Sequence, residues 1–331
     1  MNIKQTRATA VGALALALTL SGCASGSVDG SSSTAGPSGS AGLTKVTYGI
    51  FPSNTVAALQ VAIDKGYFEK QGIDLELVVG AGSSAAQLPA LATGELDFML
   101  ASPVTALTAT TQGLDVRIVD GFTQNDPKIV EDSTAVVVGA GSNIKTARDL
   151  EGKKVSVNAL GSIGEIGIRE AVAKDGGDPK KVTFVQLSFP EVAAQIEAGQ
   201  IDAGMAGSPF MQQVMAKGGR VVSDFIHDTG LGANELVTIS SGKLVESDAD
   251  MVKRFSAAMD EALPFLTENN DLIREAMPAA LGTDPAAAKK AQLSLYSSDV
   301  SKETIQLFAD LLVKYGIVST KPDVDKVIWK P

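Results

Sequence analysis

Hydrophobic and polar residues along the chain follow two alternating periods. Residues 45–51 alternate between polar and apolar side chains, which predicts a strand. Val56, Leu59 and Ile63 then recur at helical spacing, and Gly66 is placed to end that helix in a left-handed conformation. The same order returns later, with strands predicted over 75–79, 154–157 and 182–187 and with helices that end at Gly94 and near Lys174. This succession of strands and helices, joined by turns rich in Gly and Ser, predicts an α/β fold.

An internal repeat predicts two units of similar plan. The segments 91–97 (LATGELD) and 196–202 (IEAGQID) share their apolar, Gly and Asp positions, and each is followed by a Ser-Pro pair. In each copy we expect the glycine to end a helix and a short strand to begin near the aspartate. The serine is then expected to cap a new helix with proline at its first position. We therefore expect two lobes on one supersecondary plan, with structural roles for Asp97 and Asp202.

The C-terminal third predicts helices without a further sheet. Apolar residues recur at helical spacing after Asp248 and after Ser301, and Thr283-Asp284-Pro285 is a typical helix start. Helices without a sheet of their own must pack on a lobe that already exists. We expect them to return to the first lobe.

The N-terminal segment carries a targeting pattern. Lys4 and Arg7 precede an apolar run over 8–20, which is too short to cross a hydrocarbon core that takes about 20 helical residues. The run ends in Leu-Ser-Gly before Cys23, the single cysteine of the chain. This pattern resembles a bacterial lipoprotein signal, so we expect residues 1–22 to be a signal peptide and Cys23 to carry a palmitate-type lipid. The alternative is an ordinary secretion signal that ends near a cysteine.

Residues 23–42 are predicted to be a flexible, lipid-anchored linker. The segment consists almost wholly of Ser, Gly, Ala, Thr and Pro, and such a composition cannot bury enough apolar surface to fold. The anchor and the linker together predict a protein held at the extracytoplasmic face of the bacterial cell membrane.

The charge and the scarcity of histidine and cysteine limit the chemistry of the chain. Its formal net charge is −10, which argues against nucleic-acid partners. The single histidine, His227, cannot by itself form a His-based metal site, and a Ser-His triad around it is not indicated. We therefore expect no metal, no cofactor and no catalytic residue.

Candidate ligand-binding residues lie in the turns that follow the predicted strands. In open α/β sheets, ligands bind beyond the carboxyl ends of the strands, where helix N-termini point at them. Helix N-termini favour negative charge, so a small oxyanion or the acidic head of a larger ligand suits these turns. For each serine the alternative role is a simple helix N-cap. The predicted ligand-binding residues are Pro52, Ser53, Asn54, Ser83, Ser84, Ser102, Gly161, Ser162, Ile163, Gly164, Glu165 and Ser208.

The turn over 161–165 is the sharpest part of this prediction. It joins a strand to a helix with two glycines and a hydroxyl, so we expect Gly164 to let a ligand approach the backbone. Two roles remain open for Glu165, which either stabilises the helix N-terminus or pairs with a ligand amine. The candidate turns contain no Arg or Lys, so a guanidinium clamp for an anion is not evident. Four aromatic side chains adjoin the turns and either flank a ligand or pack in the core: Phe51, Phe122, Phe189 and Phe210.

Six segments, taken in order, resemble extracytoplasmic solute-binding proteins of ABC importers. They are KVTYGIFPSN, AIDKGYFEKQGIDLELV, ALATGELDFMLASP, DLEGKKVSVN, DPKKVTFVQL and IEAGQIDAGMAGSP. The chain is most similar to the nitrate/sulfonate/taurine group, which also includes binders of thiamine precursors. This resemblance implies a type II periplasmic-binding-protein-like fold, in which two hinge strands join two α/β lobes around a ligand cleft. It implies lobe 1 over 43–131 plus 227–331 and lobe 2 over 132–226.

The resemblance also implies a function in transport. The protein would be the solute-binding component of an ABC importer, a monomer that captures a small anion such as a sulfonate, taurine or nitrate. It would deliver this ligand to a membrane permease and its ATPase. An aromatic carboxylate or a thiamine-precursor pyrimidine is the alternative ligand. An enzyme like the thiamine-pyrimidine synthases is disfavoured because the chain lacks their Cys-rich motif, and a sensor or adhesion lipoprotein is the third class.

Overall fold

The computed structural model of the protein describes residues 42–80, 83–126, 128, 134–208 and 210–331. The predicted signal peptide, Cys23 and the linker up to residue 41 lie outside these residues. Within the described ranges, no helix combines the length and the apolar character that crossing a membrane requires.

The described residues form eleven strands in two mixed sheets. In chain order the strands are β1 (Thr44–Ile50), β2 (Ile73–Val79), β3 (Phe98–Ala101), β4 (Val116–Gln124), β5 (Thr134–Val138), β6 (Lys154–Val157), β7 (Thr183–Gln186), β8 (Ala203–Gly207), β9 (Arg220–Ser223), β10 (Leu236–Ser241) and β11 (Leu295–Tyr296). The first sheet has the order β11-β4-β10-β3-β1-β2, and the second has the order β7-β6-β8-β5-β9.

The two sheets share one plan of strand pairing. In the first sheet β1 lies parallel between β2 and β3, and β10 pairs antiparallel with β3. In the second sheet β6 lies parallel between β7 and β8, and β5 pairs antiparallel with β8. The chain passes between the sheets twice, from β4 to β5 and from β9 back to β10. The lobe boundaries themselves stay a prediction.

Fourteen α-helices connect and cover these strands within the described residues. They are α1 (Asn54–Asp64), α2 (Tyr67–Lys70), α3 (Leu88–Thr93), α4 (Pro103–Thr111), α5 (Ile163–Lys174), α6 (Phe189–Glu197), α7 (Phe210–Ala216), α8 (Phe225–Thr229), α9 (Gly242–Ser247), α10 (Ala249–Glu268), α11 (Asn270–Leu281), α12 (Pro285–Ala288), α13 (Lys302–Lys314) and α14 (Val324–Val327). Gly94 ends α3 with φ +82°, which confirms the predicted left-handed cap.

The internal repeat is a repeat of structure. Asp97 Oδ2 accepts the backbone N–H of Thr47 at 2.8 Å, which ties the start of β3 to β1. Asp202 Oδ2 accepts the backbone N–H of Lys154 at 2.8 Å, which ties the start of β8 to β6 in the same way. Both aspartates therefore hold neighbouring parallel strands in register, and the structural roles predicted for them are confirmed.

The C-terminal third departs from its prediction in two places. Asp248 and Ser301 cap α10 and α13 by accepting N–H groups, as predicted. The prediction includes no strand here, whereas β11, between α12 and α13, pairs antiparallel with β4 at the edge of the first sheet and so extends a sheet that already exists. A two-residue strand is too short to show an alternating pattern. The helix expected after Thr283 is only the single turn α12, and the longer α11 was not predicted.

The hydrophobic core positions the two sheets against each other. One buried cluster lies between the first sheet and helices α1, α10 and α11, where the rings of Phe98 and Phe255 stack with centroids 3.9 Å apart. A second cluster runs from the first sheet through α4, α13 and α5 to the second sheet. Burial of one such side chain contributes about 1.5–3 kcal/mol, so this shared cluster stabilises the arrangement of the sheets around the space between them.

Candidate functional site

A cavity of about 370 Å³ lies between the two sheets. Turns at the carboxyl ends of parallel strands from both sheets line it. Its volume falls within the range of about 300–1,000 Å³ that is typical of small-molecule sites. This is where the sequence predicts a ligand.

The first sheet contributes hydroxyl groups to the cavity. Its lining residues in the turns after β1, β2 and β3 include Ser53, Asn54, Ser83, Ser84 and Ser102. The Oγ1 atom of Thr105 lies 2.9 Å from Ser84 Oγ and 3.1 Å from Ser102 Oγ. A chain of hydroxyls can turn its protons to either donate to or accept from a bound molecule.

The second sheet contributes the turn after β6 and the end of β8. Residues 158–163, Gly207 and Ser208 line the cavity from this side. Ser162 is the residue before α5, but its hydroxyl makes no capping hydrogen bond. The same holds for Ser53, whereas Ser102 does cap its helix by accepting the N–H of Thr105 at 3.2 Å. The simple N-cap role therefore accounts for Ser102 and does not account for Ser53 or Ser162.

The structure brings nine of the twelve predicted residues together. Those that line the cavity are Ser53, Asn54, Ser83, Ser84, Ser102, Gly161, Ser162, Ile163 and Ser208. Pro52, Gly164 and Glu165 do not line it. Contact of any of these residues with a ligand stays a prediction.

Gly164 faces a neighbouring side chain of the protein. A Cβ atom added at this position would overlap Sδ of Met205 in β8. The missing side chain therefore lets α5 pack closely on the second sheet. Met205 itself lines the cavity, so this packing shapes the cavity wall.

The carboxylate of Glu165 is bonded within the protein. Its Oε2 accepts the N–H of Gly161 at 2.8 Å, and its Oε1 accepts from Nε and Nη2 of Arg169 at 2.9 and 2.7 Å. The Arg169 guanidinium also lies over the ring of Phe184, 4.7 Å from its centroid. These contacts match the helix-terminus role and hold the backbone of Gly161, which adopts φ +69°.

Glu235 is a cavity residue that the sequence did not reveal. It precedes β10, lines the cavity and is 7% exposed. Its Oε2 lies 3.0 Å from Ser294 Oγ and 3.4 Å from Thr123 Oγ1, and both hydroxyls donate to it. The only local sequence feature that marks Glu235 is its position just before a strand of alternating apolar and polar residues. That feature does not distinguish a buried carboxyl from a solvated one.

The environment of Glu235 disfavours its charged form. Burial raises the pKa of its carboxyl above the usual range, and the nearby acidic Asp224 raises the pKa further. The hydrogen bond from Ser294 acts in the opposite direction. Among the described residues that line the cavity, Glu235 is the only one with an ionisable side chain.

Apolar side chains complete the wall. Phe51, Leu88, Phe189, Leu236 and Ile317 line the cavity. Of the other two phenylalanines near the turns, Phe122 is buried in the core with its ring edge-on to that of Tyr296, and Phe210 does not line the cavity.

The described residues offer no site for a metal. They contain no group of three or more His, Cys, Asp or Glu side chains placed to hold an ion. His227 lies in α8, near the return of the chain to the first sheet, and is not among the residues that line the cavity.

Comparison with known proteins finds sequence similarity to a described family and to a named relative. The profile of the family described as NMT1/THI5 like matches residues 53–272. The formylaminopyrimidine-binding protein of Halalkalibacterium halodurans is 25% identical over 225 residues, which cover 67% of this chain and 65% of that protein. The chain thus matches slightly less than two thirds of that relative's length.

Two solved structures share the fold. The alkanesulfonate-binding protein SsuA from Xanthomonas axonopodis pv. citri, bound to MOPS, has a TM-score of 0.74 at 20% identity, covering 88% of this chain and 100% of that one. The periplasmic aliphatic sulphonate binding protein SsuA from Escherichia coli has a TM-score of 0.71 at 18% identity, covering 87% and 92%. The predicted α/β fold of the periplasmic-binding-protein kind is confirmed.

Proposed function

The chain belongs to the NMT1/THI5-like family, and from that membership and the cavity between its sheets we propose that it is the solute-binding component of an ABC importer. It captures one small solute outside the cytoplasm and delivers it to a membrane permease and its ATPase. The observation that carries this proposal is the cavity of about 370 Å³, which turns of both sheets line with hydroxyls. Such a site lets two halves of a protein close on one ligand.

The chemistry of the cavity supports binding over catalysis. The described lining residues include no His, Cys, Lys or Arg, and so provide none of the common nucleophile and base pairs around the cavity. The chain's single histidine lies outside the cavity lining. We therefore propose no enzymatic activity.

The ligand we propose is a small organic solute. The N-termini of α1, α4 and α5 adjoin cavity residues and suit an acidic or hydrogen-bond-accepting end, as in a sulfonate, taurine or an aromatic carboxylate. Nitrate would leave most of the cavity volume unfilled. A thiamine-precursor pyrimidine is the alternative ligand, and the similarity to a formylaminopyrimidine-binding protein supports it.

The proposed context is a monomer anchored by lipid at the extracytoplasmic face of the cell membrane. The lipoprotein-like pattern before Cys23 supports the anchor. We also propose lobe 1 as residues 43–131 plus 227–331 and lobe 2 as residues 132–226. The strands of the second sheet, which all lie between Thr134 and Ser223, support this division.

A ligand panel with a blocked cavity tests the function. Ala85 lines the cavity and Ala86 does not, although both are exposed residues of the same short turn. The panel contains taurine, ethanesulfonate, benzoate, aminopyrimidine, pyrimidine and formylaminopyrimidine. A compound at one hundred times its Kd should stabilise the wild type by about 2.7 kcal/mol in thermal unfolding.

The two tryptophan variants locate that binding. Ala85→Trp should abolish the ligand-induced stabilisation, and Ala86→Trp should retain it. Binding that survives Ala85→Trp unchanged would place the ligand elsewhere, and no binding by any compound of the panel would contradict the proposal.

A further inference from the structure

We propose that Glu235 recognises a nitrogen-bearing hydrogen-bond donor of the ligand, so that the bound solute carries an amine or an amino-substituted ring. This inference rests on the proposed function, because it concerns the solute held in the same cavity. It goes beyond that function in assigning the recognition group and the chemical class.

The carboxyl of Glu235 is held at a fixed place in the cavity wall. The backbone N–H of Glu235 donates to the carbonyl oxygen of Thr123 at 3.0 Å, which fixes the residue beside β4. Its side chain then receives hydroxyl donors from Thr123 and from Ser294. Thr134, at the start of β5 in the second sheet, also lines the cavity, and its hydroxyl lowers the pKa of this carboxyl. The carboxyl thus lies where the two sheets meet.

The hydroxyls do not neutralise the carboxyl. A hydroxyl donates a hydrogen bond but carries no charge. The charged side chain that shifts the pKa of Glu235 is that of Asp224, and because it is also acidic it raises this pKa. Burial favours the neutral form of Glu235 in the free protein, so its carboxylate forms when a positive or strongly donating partner lies beside it. Since the described lining has no Lys, Arg or His, that partner comes with the ligand.

The walls beside Glu235 define the rest of the ligand. Leu236 follows Glu235 in sequence and also lines the cavity, together with Phe51 and Phe189. Apolar walls of this kind favour an alkyl or aromatic body. A solute with a nitrogen donor at one end and an apolar body satisfies both the carboxyl and the walls.

Matched pairs of compounds test the inference on the unmodified protein. The pairs are taurine with ethanesulfonate and aminopyrimidine with pyrimidine, whose members differ in the amino group. Isothermal titration on the wild type should show the amino member binding about 10-fold to 100-fold more tightly, as expected for a hydrogen bond to a charged group. Equal affinity within every pair that binds overturns the inference and leaves the proposed function standing. Binding by neither pair nor by any other compound of the panel overturns both.

Two substitutions then identify the residue. Glu235→Gln keeps the size of the side chain and an acceptor for the hydroxyls, so it should remove the preference by weakening only the amino member. Glu261→Gln removes a carboxylate from the exposed face of α10 and should leave the preference unchanged. Cooperative thermal unfolding of both variants shows that they are folded. A preference that survives in folded Glu235→Gln overturns the assignment.

Discussion

Tyr315 and Glu170 form a hydrogen bond between two helices, α13 beside the first sheet and α5 beside the second. The Oη atom of Tyr315 donates to Glu170 Oε2 at 2.5 Å. Glu170 lies in α5, which follows β6 of the second sheet, whereas Tyr315 ends α13, which packs against α4 beside the first sheet. Lys314 Nζ contacts the same carboxylate oxygen at 2.5 Å. This link lies outside the cavity lining and bears on how firmly the sheets stay together.

Tyr315→Phe should weaken the contact that links α13 with α5 and so let the two sheets move apart more easily. It removes one donor to a carboxylate, a bond that is worth about 1.5–3 kcal/mol, while the contact of Lys314 with Glu170 remains. We expect a larger radius of gyration in small-angle scattering without ligand, and a decrease on adding a solute that binds. Tyr67→Phe is the matched control, since Tyr67 packs on Phe265 beside the first sheet and, within the described residues, makes no link to the second. Identical scattering of the Tyr315 variant and the wild type would show that the link does not set the opening.

Glu165 should act on binding without discriminating among ligands. Glu165→Gln weakens the ion pair with Arg169, in which the side chains of Glu165 and Arg169 are 8% and 20% exposed. We therefore expect the free energy of unfolding to fall by about 1–3 kcal/mol. Because Glu165 holds the turn at Gly161, the affinities for amino and amine-free ligands should fall by the same factor.

A double-mutant cycle with Arg169→Gln checks this assignment by urea unfolding. The two changes together should cost less than the sum of the two single changes, because both break the same Glu165–Arg169 pair. A selective loss of the amino ligands would instead make Glu165 a ligand contact.

Asp120 should make stability depend on pH. Burial raises the pKa of its carboxyl to about 7, with a smaller increase from Asp260, although the hydrogen bond from Ser256 opposes the change. The unfolded value is about 3.9. The folded protein therefore binds the proton more tightly, so stability is fully present below about pH 4 and falls as the pH rises towards about 7. At about 1.4 kcal/mol per pKa unit, the loss is on the order of 4 kcal/mol.

Asp120→Asn should remove the contribution of Asp120 to this dependence. The variant should unfold at higher urea concentration than the wild type at pH about 8 and lose that advantage at pH about 4. Asp260→Asn, at an exposed neighbouring position, should change the profile much less. A difference in stability between the variant and the wild type that is the same at both pH values would contradict the proposed ionisation of Asp120.

Cys23→Ala should release the protein from the membrane. The lipoprotein-like pattern predicts lipid attachment at Cys23, so the variant should leave the membrane fraction or remain unprocessed. Ser25→Ala in the same segment should stay anchored. Detergent extraction of the Cys23 variant at the mature size would contradict lipid attachment at this residue.

Local chemistry made much of the fold predictable. Gly94 ends a helix and Ser102 caps the next one through contacts with residues that are adjacent in sequence, so both roles can be predicted locally. The repeat then locates the second sheet. Most cavity residues follow from the same turns. Glu235 does not, because its hydroxyl partners Thr123 and Ser294 are 112 and 59 positions away in sequence. The partnership of Glu165 with Arg169 was readable as an i, i+4 pair.

The strand order of the first sheet has a consequence for the order of folding. The strands of the second sheet, β5 to β9, come from one uninterrupted stretch of chain. The strand β10, which lies between β3 and β4 in the first sheet, comes after that stretch in the chain. Contacts that are distant in sequence form slowly because closing a long loop costs entropy. During folding the chain can therefore complete the second sheet while the first sheet still lacks an inner strand. Amide protection during refolding should accordingly arise in β6 and β8 before it arises in β3.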